Sequence, residues 1–451
     1  MSKSVVLCGF MGAGKSLTGW YLAKLLQYEF VDMDEYIEQN EGLSVSLIFE
    51  QKGEDYFRKA EAKACEELSL KENTVIAAGG GALTFPENAA LLRERCTVVW
   101  LQVPLEVIEQ RLKDDECRPL YNAETIRPLY EQRQPLYEQA AHLRADGAQD
   151  FCASAVDIYS QVKGKKPVRT VTIVGLGLMG GSLAKALSRR GEYCIRGVEC
   201  HVPTAEAALR DGAVSEIVSP EEGMNADVIV LSLYPRETMD YIEKYATYVK
   251  KDALVTDMCG VKGCFGRRFS DMAFSHGFSF IGGHPMAGKE RGGYENSSAE
   301  LFNGASYIIT PTDGMNWKNF VFLEAFLKAV GVRVVVALPE EHDEIIAFTS
   351  QLPHVLAVAY MQDPLCSKHK GFSAGSYRDV SRVADINVPL WSQLMILNRF
   401  PLRDRLSNII ACLTLVEKAL DEGDEKTLRE ILRRGKQIKE EVDSEETNGI
   451  G

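Results

Sequence analysis

The 451-residue chain has no pair of cysteines at Cys-x-x-Cys spacing, and its seven histidines do not fall at the spacing of a zinc site. Its 11 cysteines are odd in number and scattered, which argues for free thiols in a reducing compartment rather than a disulfide framework. No stretch approaches the roughly 18 apolar residues of a membrane-spanning helix. The apolar run before Gly9 is also too short for a secretory signal. The expectation is a cytoplasmic protein with no membrane partner. Positive charge is scarce too: 51 basic residues stand against 64 acidic ones, a formal net charge of −13. Divided at Gly164, the two parts carry −9 and −4. Neither offers the broad positive field that nucleic acid demands, so an anionic ligand must be held by a few placed cations and backbone amides.

What is present is ordinary globular composition, 45% hydrophobic and 25% charged, with 37 Gly and 16 Pro. At about 100–200 residues per domain, the length implies two to four domains. Two strand–glycine loop–helix openings divide the chain. The first is Val5–Cys8, a glycine loop and a helical pattern through Trp20, Leu22 and Leu26; the second is Val171–Val174, Gly175–Gly181 and Leu183–Leu187, with Gly191 as the helix stop. Short apolar strands then alternate with helical patterns, which predicts two parallel-sheet α/β domains in tandem. After about Glu340 the spacing becomes helical throughout. The expected division is a P-loop domain over 1–163, a linker over 164–169, a dinucleotide-binding domain over 170–340, an all-α domain over 341–440 and a frayed acidic tail over 441–451.

Gly9-Phe10-Met11-Gly12-Ala13-Gly14-Lys15-Ser16 fits GxxxxGK[ST] between a strand and a helix. Gly9, Gly12 and Gly14 let backbone amides face phosphates, Lys15 neutralises β/γ charge, and the Ser16 hydroxyl suits Mg²⁺. Asp32-Met33-Asp34 closes the second strand pattern, so alternation puts Asp32 and Asp34 on one face, one carboxylate for metal and the other for an acceptor hydroxyl. The competing assignment is a helix cap. Further on stand Gly53-Glu54, Phe57-Arg58, Gly79-Gly80-Gly81, Arg118-Pro119-Leu120 and Arg133-Gln134-Pro135-Leu136-Tyr137.

In that order and spacing, residues 1–163 resemble shikimate kinase. The resemblance implies ATP and Mg²⁺ on Lys15 and Ser16, with Asp32 near the metal, and Asp34 as base or orienter for the shikimate hydroxyls. It implies Arg58 and Arg133 clamping the substrate carboxylate, Gly79–Gly81 cradling the acceptor, and Arg118 closing from a lid around Lys113–Leu120.

The second loop, Gly175-Leu176-Gly177-Leu178-Met179-Gly180, fits GxGxxG after a strand. Glu199 follows at the end of the strand Cys194–Val198, where an acid binds adenosine ribose hydroxyls, and no arginine adjoins it to welcome a 2′-phosphate; NAD is favoured. His284-Pro285-Met286-Ala287-Gly288 follows the strand pattern Phe278–Gly282. The helical part supplies Ser350-Gln351-Leu352-Pro353-His354 and Tyr377-Arg378-Asp379-Val380-Ser381-Arg382.

With TDxxxxKG at Thr256–Gly263 and EHDxxxAxxSxLPH, residues 169–440 resemble prephenate dehydrogenase. The resemblance implies NAD-dependent oxidative decarboxylation of prephenate to 4-hydroxyphenylpyruvate. His284 would take the proton from the ring hydroxyl, Arg382 would anchor a substrate carboxylate, Ser350 and His354 would complete the pocket, and the helical domain would make a homodimer. Two departures stand out: Cys259-Gly260 where the family often has Gly-Ser, and Gln351 in place of a frequent histidine. They leave arogenate open as the substrate, and a degenerate NAD-binding or dimerisation module as the alternative to an active enzyme.

Overall fold

The computed structural model describes residues 3–112, 126–164, 170–289, 291–312 and 314–448. The first sheet contains β1 (Val5–Cys8), β2 (Glu29–Asp32), β3 (Thr74–Ala77), β4 (Thr97–Gln102) and β5 (Leu143–Asp146), in the order β2-β3-β1-β4-β5. Every pair is parallel, with Val5 facing Val75 on one side and Thr97 on the other. Helices cover both faces, so a central strand such as Val5-Val6-Leu7-Cys8 is a continuous apolar run, buried throughout. The chain leaves β1 toward β2 and β3 on one side and later returns to β4 on the other. The first glycine loop therefore lies at the point where strand order reverses, which is where open α/β sheets bind ligands.

The second sheet contains β6 (Thr170–Val174), β7 (Cys194–Val198), β8 (Glu216–Ile217), β9 (Val228–Leu231), β10 (Leu254–Asp257), β11 (Ser279–Pro285), β12 (Ser306–Thr310) and β13 (Arg333–Val336). Its order is β13-β12-β11-β10-β9-β6-β7-β8, and again the glycine loop follows the strand, β6, at which the order reverses. The expected parallel sheet is mixed at one edge. β12 runs antiparallel to β11, with His284 opposite Ile308. The connection between them holds one 3-10 turn, Tyr294–Asn296, and no crossover helix among its described residues, so the chain turns back on itself. β11 also extends to Pro285, so His284 lies within the strand rather than after it.

The helix Trp317–Lys328 is buried almost all round, from Asn319 to Leu327. Phe322, Leu323, Phe326 and Leu327 belong to the core of the second sheet, whereas Val321 and Ala325 belong to the core of the first. A helix with apolar residues on two opposite faces must be covered on both, and here two α/β layers do it.

A second compact unit comprises the chain from Ala337 onward with Tyr234–Met239 and Cys259–Gly266. Its helices are Pro339–Ile346, Leu352–Tyr360, Gly375–Arg382, Val388–Leu397, Arg399–Asp421 and Glu425–Asn448. Between the first two, Ala347–Gln351 is a π-helical turn. Pro353 has no N–H for the helical ladder and crowds the preceding turn, and the wider turn absorbs that conflict. The frayed acidic tail is a correction: the last helix continues to Asn448. Pairs one turn apart, Lys436–Glu440 at 3.3 Å and Lys439–Asp443, offset the repulsion among its acids.

Candidate active sites

In the first domain the glycine loop closes directly onto the helix Lys15–Leu26. Gly14 has φ +84°, a left-handed backbone, and a Cβ there would overlap the Phe151 ring. The Lys15 ammonium donates to the carbonyls of Gly9 and Phe10 at 3.1 and 3.0 Å, at the mouth of the loop. The Ser16 hydroxyl donates to the Asp32 carboxylate at 2.5 Å. These are hard oxygen donors beside a glycine loop that opens a helix. Mg²⁺ takes one or two such protein oxygens and completes its shell with phosphate and water, so the donor set fits ATP–Mg²⁺.

The shared strand face expected of Asp32 and Asp34 is not how the structure joins them. β2 ends at Asp32, which caps the helix Met33–Glu41 by accepting from the Asp34 amide at 3.0 Å. Asp34 lies in the first helical turn, so the capping alternative describes this segment. Its carboxylate nevertheless reaches the end of β3, because a Cβ on Gly79 would lie 2.9 Å from both the Asp34 and Glu61 carboxylates. A Cβ on Gly81 would lie 2.5 Å from the Arg58 guanidinium, and one on Gly80 would lie 3.8 Å from that of Arg133. Thus Asp34, Arg58, Arg133 and the triple glycine gather at one strand end. Arg133 donates to the Gly80 carbonyl at 3.2 Å, and the buried Tyr137 hydroxyl donates to the same carbonyl at 2.5 Å.

Two residues of this neighbourhood escaped the sequence analysis. Glu61 is buried and pairs with Arg58 at 2.9 Å. Burial pushes its carboxyl above the usual range, and the Arg58 charge opposes that rise. Its position one helical turn after Arg58 was the available signal. Arg111 lies with its guanidinium 4.8 Å over the Phe151 ring and donates to the Gly147 carbonyl at 2.9 Å. Arg118 and the lid around Lys113–Leu120 lie outside the described residues.

In the second domain the loop's glycines differ in their reasons. A Cβ on Gly180 would overlap the Gly175 carbonyl oxygen, whereas a Cβ on Gly177 would meet nothing within 4 Å. Gly180 is therefore required by packing, and Gly177 leaves an open space above the loop that a dinucleotide can approach. Glu199 accepts from the Leu176 amide at 2.9 Å and from the His201 amide at 2.8 Å, which fixes its carboxylate beside the loop. That cradle and fixed acid fit NAD.

His284 lies in β11, directly after Gly283, whose amide donates to the buried Asp257 carboxylate at 3.1 Å. Asp257 ends β10 and so ties the histidine-bearing strand to its neighbour. In the other compact unit, His354 Nδ1 donates to the Ser350 carbonyl at 2.8 Å, and its ring stacks on Trp391 at 3.8 Å. A carbonyl can only accept, so Nδ1 carries hydrogen and Nε2 is the acceptor of the neutral ring. Arg382 ends the exposed helix Gly375–Arg382. The departures also have definite places: Cys259 is buried against the Thr238 hydroxyl at 3.4 Å, and buried Gln351 accepts from Asn398 at 2.9 Å.

Fold and loops define a P-loop phosphotransferase followed by an NAD-dependent oxidoreductase. Comparison with known proteins makes this particular. The sequence profile described as Shikimate kinase matches residues 11–162. The profiles described as Prephenate dehydrogenase, nucleotide-binding domain, and Prephenate dehydrogenase, dimerization domain, match residues 183–336 and 338–434. Shikimate kinase of Persephonella marina is 42% identical over 140 residues, 31% of this chain and 85% of that protein. The crystal structure of prephenate dehydrogenase from A. aeolicus in complex with hydroxyphenyl propionate and NAD+ is 29% identical, with TM-score 0.53, covering 61% of this chain and 98% of that one. Synechocystis arogenate dehydrogenase is 26% identical, with the same TM-score, covering 60% of this chain and 99% of that one. The chain belongs to the shikimate kinase family in its N-terminal part and to the prephenate dehydrogenase family in the rest, joined in one polypeptide. It is a kinase that uses ATP and Mg²⁺ and an oxidoreductase that uses NAD.

Proposed function

We propose that the N-terminal domain phosphorylates the 3-hydroxyl of shikimate and that the C-terminal domains convert prephenate to 4-hydroxyphenylpyruvate. The observation that carries the first activity is the convergence of Asp34, Arg58 and Arg133 on Gly79–Gly81, beside the P-loop. Two guanidiniums suit a carboxylate, and one carboxylate suits a hydroxyl that must be aimed. In this scheme Arg58 and Arg133 hold the shikimate carboxylate, and Glu61 holds Arg58. Asp34 orients the acceptor hydroxyl and takes its proton. Lys15 neutralises phosphate charge, with Ser16 and Asp32 as protein oxygens for Mg²⁺, and Arg118 adds a cation from the lid. ATP–Mg²⁺, when bound, supplies the phosphoryl group.

For the second activity, His284 accepts the proton of the ring hydroxyl as that carbon is oxidised and returns it to the phenolic oxygen. The ring carboxylate leaves as CO₂, its electron pair entering the new aromatic ring. NAD⁺, when bound to Gly175, Gly177, Gly180 and Glu199, supplies the hydride acceptor. In the helical unit, Arg382 is the residue for a substrate carboxylate, and Ser350 and His354 are the further substrate-binding residues that the resemblance implies. Arogenate, the same ring with an amino-acid side chain, is the second reading, favoured by Gln351 at the family's frequent histidine. NADH formation from each compound at saturating NAD⁺ separates them: faster turnover of prephenate supports the proposal, and faster turnover of arogenate replaces the substrate.

The assembly we propose is a homodimer through the helical unit. Ile410, Leu413 and Leu420 are each more than half exposed on the helix Arg399–Asp421, in the region matched by the dimerization profile. A cytoplasmic location is supported by the ten described cysteines, all free, and no described helix is long and apolar enough to cross a membrane.

A further inference from the structure

The helix Trp317–Lys328 turns one face toward the kinase domain, through Trp317, Val321, Glu324 and Lys328, spaced three or four residues apart. Trp317 meets Trp20 edge-on at 5.7 Å, and Glu324 accepts from the Tyr21 hydroxyl at 3.2 Å. Trp20 and Tyr21 lie on the helix that begins with Lys15 and Ser16. Lys328 completes the contact. Its ammonium lies 2.8 Å from Glu324 on its own helix and 2.9 Å from Asp150 of the kinase domain.

Asp150 is not an ordinary surface acid. One carboxylate oxygen caps the helix Phe151–Lys163 by accepting from the Cys152 amide at 3.0 Å, and the other receives Lys328. The next residue, Phe151, presses on Gly14 of the P-loop and lies under the Arg111 guanidinium. Arg111 in turn donates to the carbonyls of Ala13, Gly147 and Ala148. The cation from the neighbouring domain is thus two contacts away from the loop that faces phosphates.

We infer that Lys328, on the dinucleotide-binding domain, is a positioning residue for the ATP site of the kinase domain, acting through Asp150 and Phe151. The inference rests on the P-loop domain's binding of ATP. A partly exposed ion pair worth about 1 kcal/mol corresponds to roughly fivefold in affinity, which sets the scale of the effect.

The test is calorimetric titration of the full chain with MgADP. Lys328→Met should weaken binding about fivefold, and Asp150→Asn, which keeps a helix-capping side chain, should do the same. The double variant should be no weaker than either, because both remove one interaction. Lys328→Arg should restore most of the affinity. The KM for shikimate and the rate of NADH formation should stay at wild-type levels in all of them, which a general loss of folding would not allow. Wild-type affinity in Lys328→Met, or in Asp150→Asn should Lys328→Met not fold, overturns the inference. So do additive losses in the double variant. No binding of MgADP by the wild-type chain would overturn the kinase reading itself.

Discussion

Asp343 and Gly263 stand 80 residues apart in sequence and are joined by a 2.8 Å hydrogen bond from the glycine amide to the aspartate carboxylate. The other carboxylate oxygen accepts from the Lys262 amide, also at 2.8 Å, and meets His342 Nδ1 at 2.7 Å. One buried carboxylate therefore fastens the Lys-Gly of the first dehydrogenase motif to the Glu-His-Asp of the second. Asp343→Asn replaces one acceptor with a donor that faces an amide. At about 1–3 kcal/mol for an unsatisfied buried group, thermal unfolding should show a destabilised dehydrogenase. Shikimate phosphorylation by the same variant should persist.

The pair Arg58–Glu61 gives a pH-dependent prediction. The raised Glu61 carboxyl means that the folded protein binds this proton more tightly than the unfolded chain does. Stability contributed by the protonated form is present below the ordinary carboxyl range and is lost as pH rises through the raised value. Glu61→Gln should remove that part of the slope from stability measured against pH. It should also raise the KM for shikimate about tenfold, because Arg58 loses its buried carboxyl partner, while the KM for ATP stays within about twofold. An unchanged shikimate KM would remove Glu61 from the site.

The two glycines of the dinucleotide loop should fail differently. Gly180→Ala forces a Cβ into the Gly175 carbonyl, so unfolding should occur at lower temperature, with a cost of about 1–3 kcal/mol. Gly177→Ala puts its methyl into open space. Its melting temperature should be that of the wild type, and its affinity for NAD⁺, measured by titration, should fall. Equal melting losses in both variants would contradict this account of the loop.

His284→Asn should lower NADH formation from prephenate by about 10²–10⁴-fold, the usual contribution of a positioned general base. Binding of NAD⁺ should be nearly intact, since Gly175, Gly177, Gly180 and Glu199 are untouched. Wild-type turnover in this variant would take His284 out of the mechanism.

The glycine loops were legible because each needs small residues in a fixed order directly after an apolar strand, and neither pattern depends on distant parts of the chain. The geometry of Asp34 was not legible: alternation suggested a strand, and the capping tendency of Asp32 won. Glu61 was hidden among the acids of a charged helix, where only tertiary packing distinguishes the buried one. The β12 reversal depends on a missing crossover helix, which strand propensity does not report. The helix Trp317–Lys328 is covered on two sides, and its second partner, the kinase domain, lies more than a hundred residues earlier, beyond what local spacing reports. Glu440 and Asp443 belong to a run that reads as a frayed acidic tail because composition alone ignores their pairing with Lys436 and Lys439, one turn before each.

The most direct measurement is mass spectrometry of the products of one incubation of the purified full chain with shikimate, ATP–Mg²⁺, prephenate and NAD⁺. Two active sites on one polypeptide predict shikimate 3-phosphate and 4-hydroxyphenylpyruvate together, with ADP and NADH formed in matching amounts to each. Formation of only one product, in protein that binds both nucleotides, would contradict the account.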